Sequence, residues 1–445
     1  MTRRLRRASA FAAVAAVAAL APTLGDAAAV PFLAVAGAAF FGVRDGELFE
    51  TLALPGDRET ERLYGFAAFS IANAGLALFA SLPVRTPLPY EAFAAAALAV
   101  GVGRLGRALV SHRTSGELPL VSGYVAAGAV AALAGQAAVR LQTGAPVGLE
   151  ALLSLLFFAV LAALTAALVR SLVFARDAHI TAVLVAFVTW AFVALDPSVD
   201  APVLVGGIAV TAVLGYLSFA IGTASVAGML TGVVSALLTA VLGGAGWFLA
   251  LMGFYAVGGL ASKYRFDEKA ARGVAQENEG ARDTGNVAAN SAVALAAVVG
   301  HAVAPHTGLP AAPFGLVFAG ATATAMADTL SSEIGGLFDG PRLVTTLRRV
   351  DPGTDGAVTW QGELAGLAGA LLVGGLAAGG APVIDPVVSG GAAAAAAVAA
   401  AGVVGMTVDS LLGALVEGDR VGNQTVNFLA TCSGAAAAVA LGTVA

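Results

Sequence analysis

Long apolar runs, separated by shorter polar segments, extend along the whole chain. Segments 8–24, 151–169 and 424–443 contain no Asp, Glu, Lys or Arg. A helix needs about 20 such residues to cross a hydrocarbon core of about 30 Å. Apolar windows of this kind occur at 8–24, 27–43, 64–82, 92–110, 118–139, 150–169, 178–195, 202–221, 223–242, 244–261, 286–304, 312–333, 362–380, 386–407 and 424–443. The pattern predicts an all-α polytopic membrane protein with about 15 transmembrane helices.

The distribution of basic residues predicts how these helices are oriented. Cytoplasmic loops of membrane proteins carry an excess of Lys and Arg. If the arginines between residues 3 and 7 lie inside, alternation of the helices places every other Lys and Arg inside except Arg85 and Arg140. We therefore expect the N-terminus inside and the C-terminus outside. The first apolar run also fits a signal peptide; we expect it to be retained, and its cleavage would not reorient the later helices.

Composition and charge narrow the range of partners. The chain is 58% apolar and only 11% charged, whereas an ordinary soluble domain is about 25% charged. The net charge is −5 and the sequence contains no basic block, so a nucleic-acid partner is not expected, because binding to phosphate backbones needs clustered Lys and Arg. The lipid bilayer, here the cell membrane, is the predicted environment.

The polar loops divide the chain into two regions. Up to about residue 200 they are mostly short, whereas the later inside loops at 262–285, 334–361 and 408–423 are long and polar. We predict one membrane domain of about seven helices at 1–199 and a second of about eight helices at 200–445. Function is expected on the cytoplasmic face of the second domain.

Asp328 is the most informative single residue, because it lies within an apolar window. An ionisable side chain inside a membrane helix costs at least about 2.5 kcal/mol without a partner or water and indicates a functional site. At 100° per residue, Thr324 and Asp328 share one helical face with Ser331 or Ser332. Glu333 joins them only if the helix breaks near Gly335. The alternative is that Asp328 pairs with a neighbouring helix for structural reasons alone.

A second carboxylate occurs in a similar context. Ala327-Asp-Thr-Leu and Val408-Asp-Ser-Leu both lie toward the inner ends of predicted helices. Asp328 and Asp409 could therefore converge at one depth. Four matching positions are too few to establish an internal duplication.

The polar segment before the predicted helix at 286–304 is a candidate phosphate site. Arg282 is followed by Asn286 and Asn290, which are four residues apart and so share a helical face. Amides at a membrane entrance need polar partners, and the free N–H groups at a helix start suit a phosphate. The alternative is an ordinary solvated loop.

A glycine-containing turn is the third candidate. Gly353, Thr354, Asp355 and Gly356 follow Pro352, and turns of this composition can present successive N–H groups to an anion. Arg348 and Arg349 precede this turn, and Asn427 adds a polar side chain at the depth of Asp409. An ordinary surface turn fits this pattern equally well.

These blocks, in this order, resemble the integral-membrane family called domain of unknown function 92, or transmembrane protein 19. The matching motifs are Gly273-Val-Ala-Gln, Arg282 to Asn290, Ala327-Asp-Thr-Leu-Ser-Ser-Glu-Ile-Gly335, Arg342-Leu-Val-Thr-Thr-Leu, Pro352-Gly-Thr-Asp-Gly356, Val408-Asp-Ser-Leu-Leu-Gly413 and Val426-Asn-Phe-Leu-Ala-Thr431. The resemblance covers about residues 200–445 and implies a catalytic role for that domain. A plant member of the family is a phytyl-phosphate kinase, and the Asp-Thr-x-x-Ser pattern is also similar to polyprenol kinases, which use CTP.

The resemblance implies a membrane prenyl-phosphate kinase that acts on phytyl or geranylgeranyl phosphate at the cytoplasmic face, with CTP or ATP as donor. Catalysis of this kind depends on positioning and on cationic stabilisation. We expect Asp328, Asp409 and Glu333 to hold Mg²⁺, because carboxylate oxygens suit that ion. The expected catalytic residues are Asp328, Asp409 and Arg282, and the expected phosphate-binding residues are Asn286, Asn290, Arg348, Arg349, Gly353, Thr354, Asp355, Gly356 and Asn427.

Two other classes of protein fit the same pattern. Many helices with intramembrane carboxylates are also typical of ion-coupled transporters and lipid flippases. A carrier needs its ionisable groups near the bilayer midplane, whereas these residues are predicted near the cytoplasmic rim. A membrane scaffold without a ligand is the third possibility.

Overall fold

The computed structural model describes residues 2–173, 177–276, 278–379, 391–418 and 421–442. Nearly all of these residues are helical, as the hydropathy pattern predicts. The chain forms two compact units, Met1–Ala201 and Pro202–Ala445. Two of the basic residues predicted to lie inside, Arg176 and Arg420, are outside the described ranges.

The first unit is built around one alanine-rich helix. Its α-helices are α1 Arg3–Ala16, α2 Ala21–Leu24, α3 Val30–Gly37, α4 Gly46–Leu52, α5 Asp57–Thr60, α6 Tyr64–Ser81, α7 Tyr90–Val110, α8 Glu117–Thr143, α9 Leu149–Leu172 and α10 Ala178–Ala194. Helix α7 packs against α1, α6, α8, α9 and α10. Its residues 92–101 are all buried, which the small alanine side chains permit because neighbouring backbones can approach closely.

The second unit contains the remaining helices and one short hairpin. Its elements are α11 Ala201–Ala220, α12 Val226–Leu238, α13 Ala245–Lys263, α14 Phe266–Ala271, α15 Thr284–Thr307, α16 Ala312–Gly335, β1 Arg342–Leu343, β2 Ala357–Val358, α17 Trp360–Ala378, α18 Gly391–Val416 and α19 Asn423–Gly442. Strands β1 and β2 pair antiparallel, with Arg342 opposite Val358. This hairpin lies within the connection between α16 and α17.

Twelve helical segments within the described residues are long and apolar enough to cross a membrane. The remaining three predicted windows are also helical. Two of these are shorter apolar helices, Val30–Gly42 and Ala178–Ala194, and the third is α16. The class of membrane protein is therefore confirmed, while the number of spans and the orientation stay predictions.

Helix α16 lies at the centre of the second unit. It packs against α13, α15, α17, α18 and α19, and most of its residues, including Thr322, Thr324, Thr329 and Glu333, are buried. A helix with this many polar side chains is poorly suited to contact lipid, because polar groups in hydrocarbon need partners. The surrounding helices supply a protein environment instead.

Small residues bring these helices close to α16. A Cβ at Gly320 of α16 would lie 2.6 Å from the Gly434 carbonyl oxygen of α19, and a Cβ at Gly366 of α17 would lie 2.9 Å from the Ala327 carbonyl oxygen. A Cβ at Gly405 of α18 would overlap the Thr324 side chain. Packing through small residues is the usual way in which membrane helices associate closely.

Replacing Gly320 by alanine should destabilise the second unit. The added methyl would meet backbone atoms of α19, which cannot rotate away, and such overpacking costs typically about 1–3 kcal/mol. We expect Gly320→Ala to lower the thermal denaturation midpoint of the detergent-purified protein. Gly375→Ala in α17 is the control, because a Cβ there meets nothing within 4 Å. Equal midpoints for the two variants would contradict this packing.

Candidate functional site

A polar cavity of about 780 Å³ lies at the C-terminal end of α16. Its walls come from α15, α16, α18, α19, the segment before α15 and the connection that contains the hairpin. The predicted site residues among the lining are Arg282, Asn286, Asn290, Asp328, Glu333, Gly353, Thr354, Asp355, Gly356, Asp409 and Asn427. The fold thus gathers polar positions that are up to about 150 residues apart in sequence.

Asp328 and Asp409 form a carboxylate pair within this cavity. Asp328 belongs to α16 and Asp409 to α18, and their carboxyl groups lie within hydrogen-bonding reach of each other. Two ionised groups at about 4 Å repel by roughly 4 kcal/mol at an effective dielectric constant of 20. Such a pair is stable only with a shared proton or with a cation between the two groups. Asp409 Oδ1 is buried and has no hydrogen-bond partner among the described residues.

The cavity wall is strongly acidic. Its described lining contains six carboxylates, Asp283, Asp328, Glu333, Asp355, Asp409 and Glu417, and one cation, Arg282. Glu417 follows the end of α18, and partial burial together with Asp355 and Asp328 raises the pKa of its carboxyl group above the usual value. The wall therefore favours a cationic ligand.

Asp328 and Asp409 are the described residues that could hold a divalent cation such as Mg²⁺. Within the described residues, no group of three or more His, Cys, Asp or Glu side chains could hold a metal. Mg²⁺ is commonly bound through one or two carboxylates together with water and substrate phosphates. Asp328 and Asp409, with the unpartnered Asp409 oxygen, are therefore suited to it.

Arg282 is the buried cation of the site, with only 7% of its surface exposed. Its main chain is fixed against the connection between α11 and α12, because its N–H donates to the Thr223 carbonyl at 2.9 Å and its carbonyl accepts from the Ser225 N–H at 3.0 Å. Nη2 donates to Thr329 Oγ1 at 3.4 Å. Burial lowers the pKa of the guanidinium, while Glu333 and Asp328 act in the opposite direction.

The amides predicted at the start of α15 line the cavity as a group. Asp283 caps this helix by accepting the Asn286 N–H at 2.8 Å. Asn290 is buried and donates to the Asn286 carbonyl at 3.0 Å, and Asn286 Oδ1 has no hydrogen-bond partner among the described residues. From α19, the buried Asn427 contributes a further amide to the lining.

The glycine-containing turn joins the cavity, but the arginines that precede it do not. Gly353 and Gly356 have φ angles of 83° and 72°, which glycine adopts without strain, and a Cβ at Gly356 would overlap α18 at Ser410 and Ala414. The turn is thereby fixed against the helix that carries Asp409.

Arg348 and Arg349 lie away from this turn. Both are exposed and neither is among the residues that line the cavity. Arg349 instead forms an antiparallel bridge with Arg342. A long side chain four residues from a turn in sequence can point away from it, and the structure does not bring these two arginines to the predicted phosphate site.

Glu333 has a partner that the sequence analysis did not identify. It forms a buried ion pair with Lys269 of α14, and the side chains are 3% and 1% exposed. Lys269 Nζ also donates to the Ala261 and Ser262 carbonyls at 2.9 and 2.8 Å. Helix α16 continues through Gly335, so the helix break that was expected to bring Glu333 to Asp328 does not occur, although Glu333 lines the same cavity. The structure thus gives Glu333 a role in joining α13, α14 and α16. Its Oε1 is buried without a hydrogen-bond partner among the described residues, and its role as a third metal ligand stays a prediction.

One weak signal for Lys269 exists in the sequence. The chain contains only two lysines, Lys263 and Lys269, and both lie in one polar segment. Charge alternation in that segment obscured this signal, because it is equally typical of a solvated loop.

Removing one member of the buried pair should destabilise the protein strongly. An unpaired buried charge costs about 3–5 kcal/mol, whereas removing both charges can be nearly neutral. We expect Lys269→Met and Glu333→Gln each to lower the denaturation midpoint, and the double variant to recover much of the loss. The exposed variant Asp339→Asn, which affects a surface ion pair, should have little effect. Additive losses in the double variant would contradict a coupled pair.

Comparison with known proteins identifies relatives of the second unit. A model of the family described as "Integral membrane protein DUF92" matches residues 209–443. An uncharacterized membrane protein of Methanocaldococcus jannaschii is 33% identical over 190 residues, which cover 42% of this chain and 73% of the relative. An uncharacterized membrane protein of Synechocystis is 29% identical over 212 residues, which cover 47% and 78% of the two chains.

Plant proteins match over shorter segments. Protein VTE6, chloroplastic, of Arabidopsis thaliana is 33% identical over 131 residues, which cover 28% of this chain and 38% of the plant protein. No solved structure matches the chain. The family model covers more than half of the chain and all of the cavity-lining residues. The chain therefore belongs to the DUF92 family of integral membrane proteins.

Proposed function

We propose that this membrane protein is a prenyl-phosphate kinase of the cell membrane, which transfers a phosphoryl group from CTP or ATP to an isoprenoid monophosphate at the cytoplasmic face. The observation that carries the proposal is one cavity in which an adjacent carboxylate pair, Asp328 and Asp409, lies near a buried arginine, Arg282. Membership of a family that includes a plant phytyl-phosphate kinase supports the same reaction class.

The chemistry needs no strong base in the protein. A phosphate monoester has a second pKa of about 6, so the acceptor oxygen is largely ionised near pH 7. This oxygen forms a new bond to the terminal phosphorus of the donor, the bond from that phosphorus to its bridging oxygen breaks, and the nucleoside diphosphate leaves. The protein must hold two anions in line and stabilise the charge that passes between them.

Different residues of the cavity would bind the two anions and stabilise their charge. Asp328 and Asp409 would hold Mg²⁺, which when bound neutralises charge on the donor phosphates. Arg282 is positioned to bind phosphate oxygens, and the amides of Asn286, Asn290 and Asn427 can donate further hydrogen bonds. Because five carboxylates line the cavity besides Glu333, which is paired with Lys269, nucleotide binding should depend strongly on the divalent cation.

The location of the cavity favours an enzyme over a carrier. Asp328 is about seven residues from the C-terminal end of α16, which corresponds to roughly 10 Å along the helix. The cavity is lined in part by residues of the connections between helices, such as Gly353 and Gly422. Binding sites of secondary transporters lie near the middle of their helices instead.

The direct test is incubation of the detergent-purified protein with geranylgeranyl or phytyl phosphate, Mg²⁺ and terminally labelled CTP or ATP. We expect labelled prenyl diphosphate, separated by thin-layer chromatography, and its loss when EDTA removes the metal. Absence of diphosphate with both donors and both acceptors, from a protein that elutes as a single folded species, would refute the proposed activity.

Asp328→Asn and Asp409→Asn should each lower turnover by at least a hundredfold. Each change removes a charge that would hold the metal while keeping the size of the side chain. Replacing a buried anion next to another should not lower stability, because it relieves their repulsion. Asp267→Asn, at an exposed position of α14 outside the cavity, is the matched control and should keep full activity. Full activity in either cavity variant would exclude the metal-binding role.

A further inference from the structure

A second cavity of about 200 Å³ lies between α11, α12 and α13, and it is almost entirely apolar. We call it the apolar groove. Its lining includes Leu214, Met229, Val233, Met252 and Leu260. Its lining extends from Thr211 of α11 to Ile221, the residue after the end of that helix, which corresponds to roughly 15 Å along the helix axis. Its length and character suit one segment of a hydrocarbon chain.

Arg282 lines both the apolar groove and the polar cavity. Its guanidinium carbon lies 5.5 Å from the centre of the Phe254 ring of α13. A Cβ at Gly258 would lie 3.1 Å from Nη2, so the glycine leaves room for the guanidinium against α13. The guanidinium charge of Arg282 is thereby held where the apolar groove meets the polar cavity.

The guanidinium retains unused capacity for hydrogen bonding. Arg282 Nε is buried and has no hydrogen-bond partner among the described residues, and the bond from Nη2 to Thr329 is long at 3.4 Å. A buried N–H without a partner is unfavourable, because it has lost its hydrogen bonds to water. An anion at this junction would satisfy it, and arginine binds phosphate oxygens with two parallel N–H groups.

From this geometry we infer that the apolar groove binds the isoprenoid chain of the acceptor and that Arg282 binds the attached phosphate. This inference rests on the proposed kinase function and assigns the two phosphate sites within it. The acceptor phosphate lies on the Arg282 side of the cavity, and the donor with its metal lies on the side of Asp328 and Asp409. The acceptor is therefore a long-chain phosphate monoester rather than a short, water-soluble one.

Glycines in the groove wall provide a way to block it. Gly232 of α12 lines the groove, and a Cβ there makes only ordinary contact, 3.7 Å from the Tyr255 ring. A leucine at this position therefore fits the helix and fills the groove with its remaining atoms. Gly206 of α11 is exposed, lies outside the groove lining and has nothing within 4 Å of a Cβ. Gly206→Leu is the matched control.

The first experiment measures equilibrium binding of radiolabelled geranyl, farnesyl and geranylgeranyl phosphate to the full chain in phosphatidylcholine nanodiscs. Each methylene buried in an apolar site strengthens binding by roughly fourfold, so affinity should rise with chain length until the groove is filled. Gly232→Leu should weaken binding of geranylgeranyl phosphate at least tenfold and abolish the dependence on chain length, and Gly206→Leu should behave as wild type. Unchanged binding in Gly232→Leu would overturn the assignment of the groove.

The second experiment tests the junction. Geranylgeraniol, which lacks the phosphate, should bind the wild-type protein at least tenfold more weakly than geranylgeranyl phosphate, and Arg282→Gln should remove that difference. If the variant does not fold, the comparison of the two ligands on the wild-type protein still tests the assignment. Equal affinities would show that no cationic side chain binds the phosphate. Competition by phosphatidic acid with equal strength would show that the groove accepts membrane lipids in general, and would overturn the assignment to an isoprenoid chain.

These measurements separate the two proposals. Diphosphate formation that is unaffected by Gly232→Leu, at every acceptor concentration, would overturn the groove and leave the kinase function standing. Binding of geranylgeranyl phosphate that depends on Gly232 and Arg282, without any diphosphate formation, would support the groove and overturn the kinase function. If both hold, Gly232→Leu should raise the KM for geranylgeranyl phosphate at least tenfold while leaving the KM for the nucleotide unchanged.

Discussion

The structure of the second unit depends on how acidic side chains are placed inside a bundle of membrane helices. Asp328 and Glu333 both belong to α16. An unpartnered charge there would destabilise the fold by more free energy than any single packing contact contributes. The fold meets this constraint in two ways. Glu333 is neutralised by the buried Lys269, whereas Asp328 lies beside Asp409 in a polar cavity that also holds Arg282.

These two solutions have different consequences. In the pair of Lys269 and Glu333 the charges cancel and the ammonium group also has backbone partners, although Glu333 Oε1 is buried without a hydrogen-bond partner among the described residues. In the pair of Asp328 and Asp409 like charges are adjacent, and Asp409 Oδ1 also has no hydrogen-bond partner among the described residues. The two arrangements therefore differ in charge. Opposite charges compensate each other, whereas two adjacent carboxylates indicate a site that takes up a proton or a cation.

The fold was largely predictable from sequence, and the site only in part. Apolar windows locate the helices because the bilayer imposes both their length and their composition. Asp328, Asp409 and the amides of α15 could be selected because polar groups at helix ends need partners. The sequence could not show that Lys269 pairs with Glu333, or that Arg348 lies away from the turn at Gly353. Side-chain direction in irregular segments depends on tertiary contacts. Nor did any pattern in the sequence indicate that Arg282 borders an apolar groove.

The close approach of glycines around α16 has a mechanical consequence. Because the backbones of α16, α17 and α19 meet at Gly320, Gly366 and Gly434, these helices have little freedom to slide past one another. Helix α18, which carries Asp409, joins them at Gly405, because a Cβ there would overlap the Thr324 side chain of α16. This close packing restricts changes in the distance between Asp328 and Asp409. Any rearrangement during a reaction cycle must therefore occur in the connections that line the cavity, outside the turn that Gly356 fixes against α18.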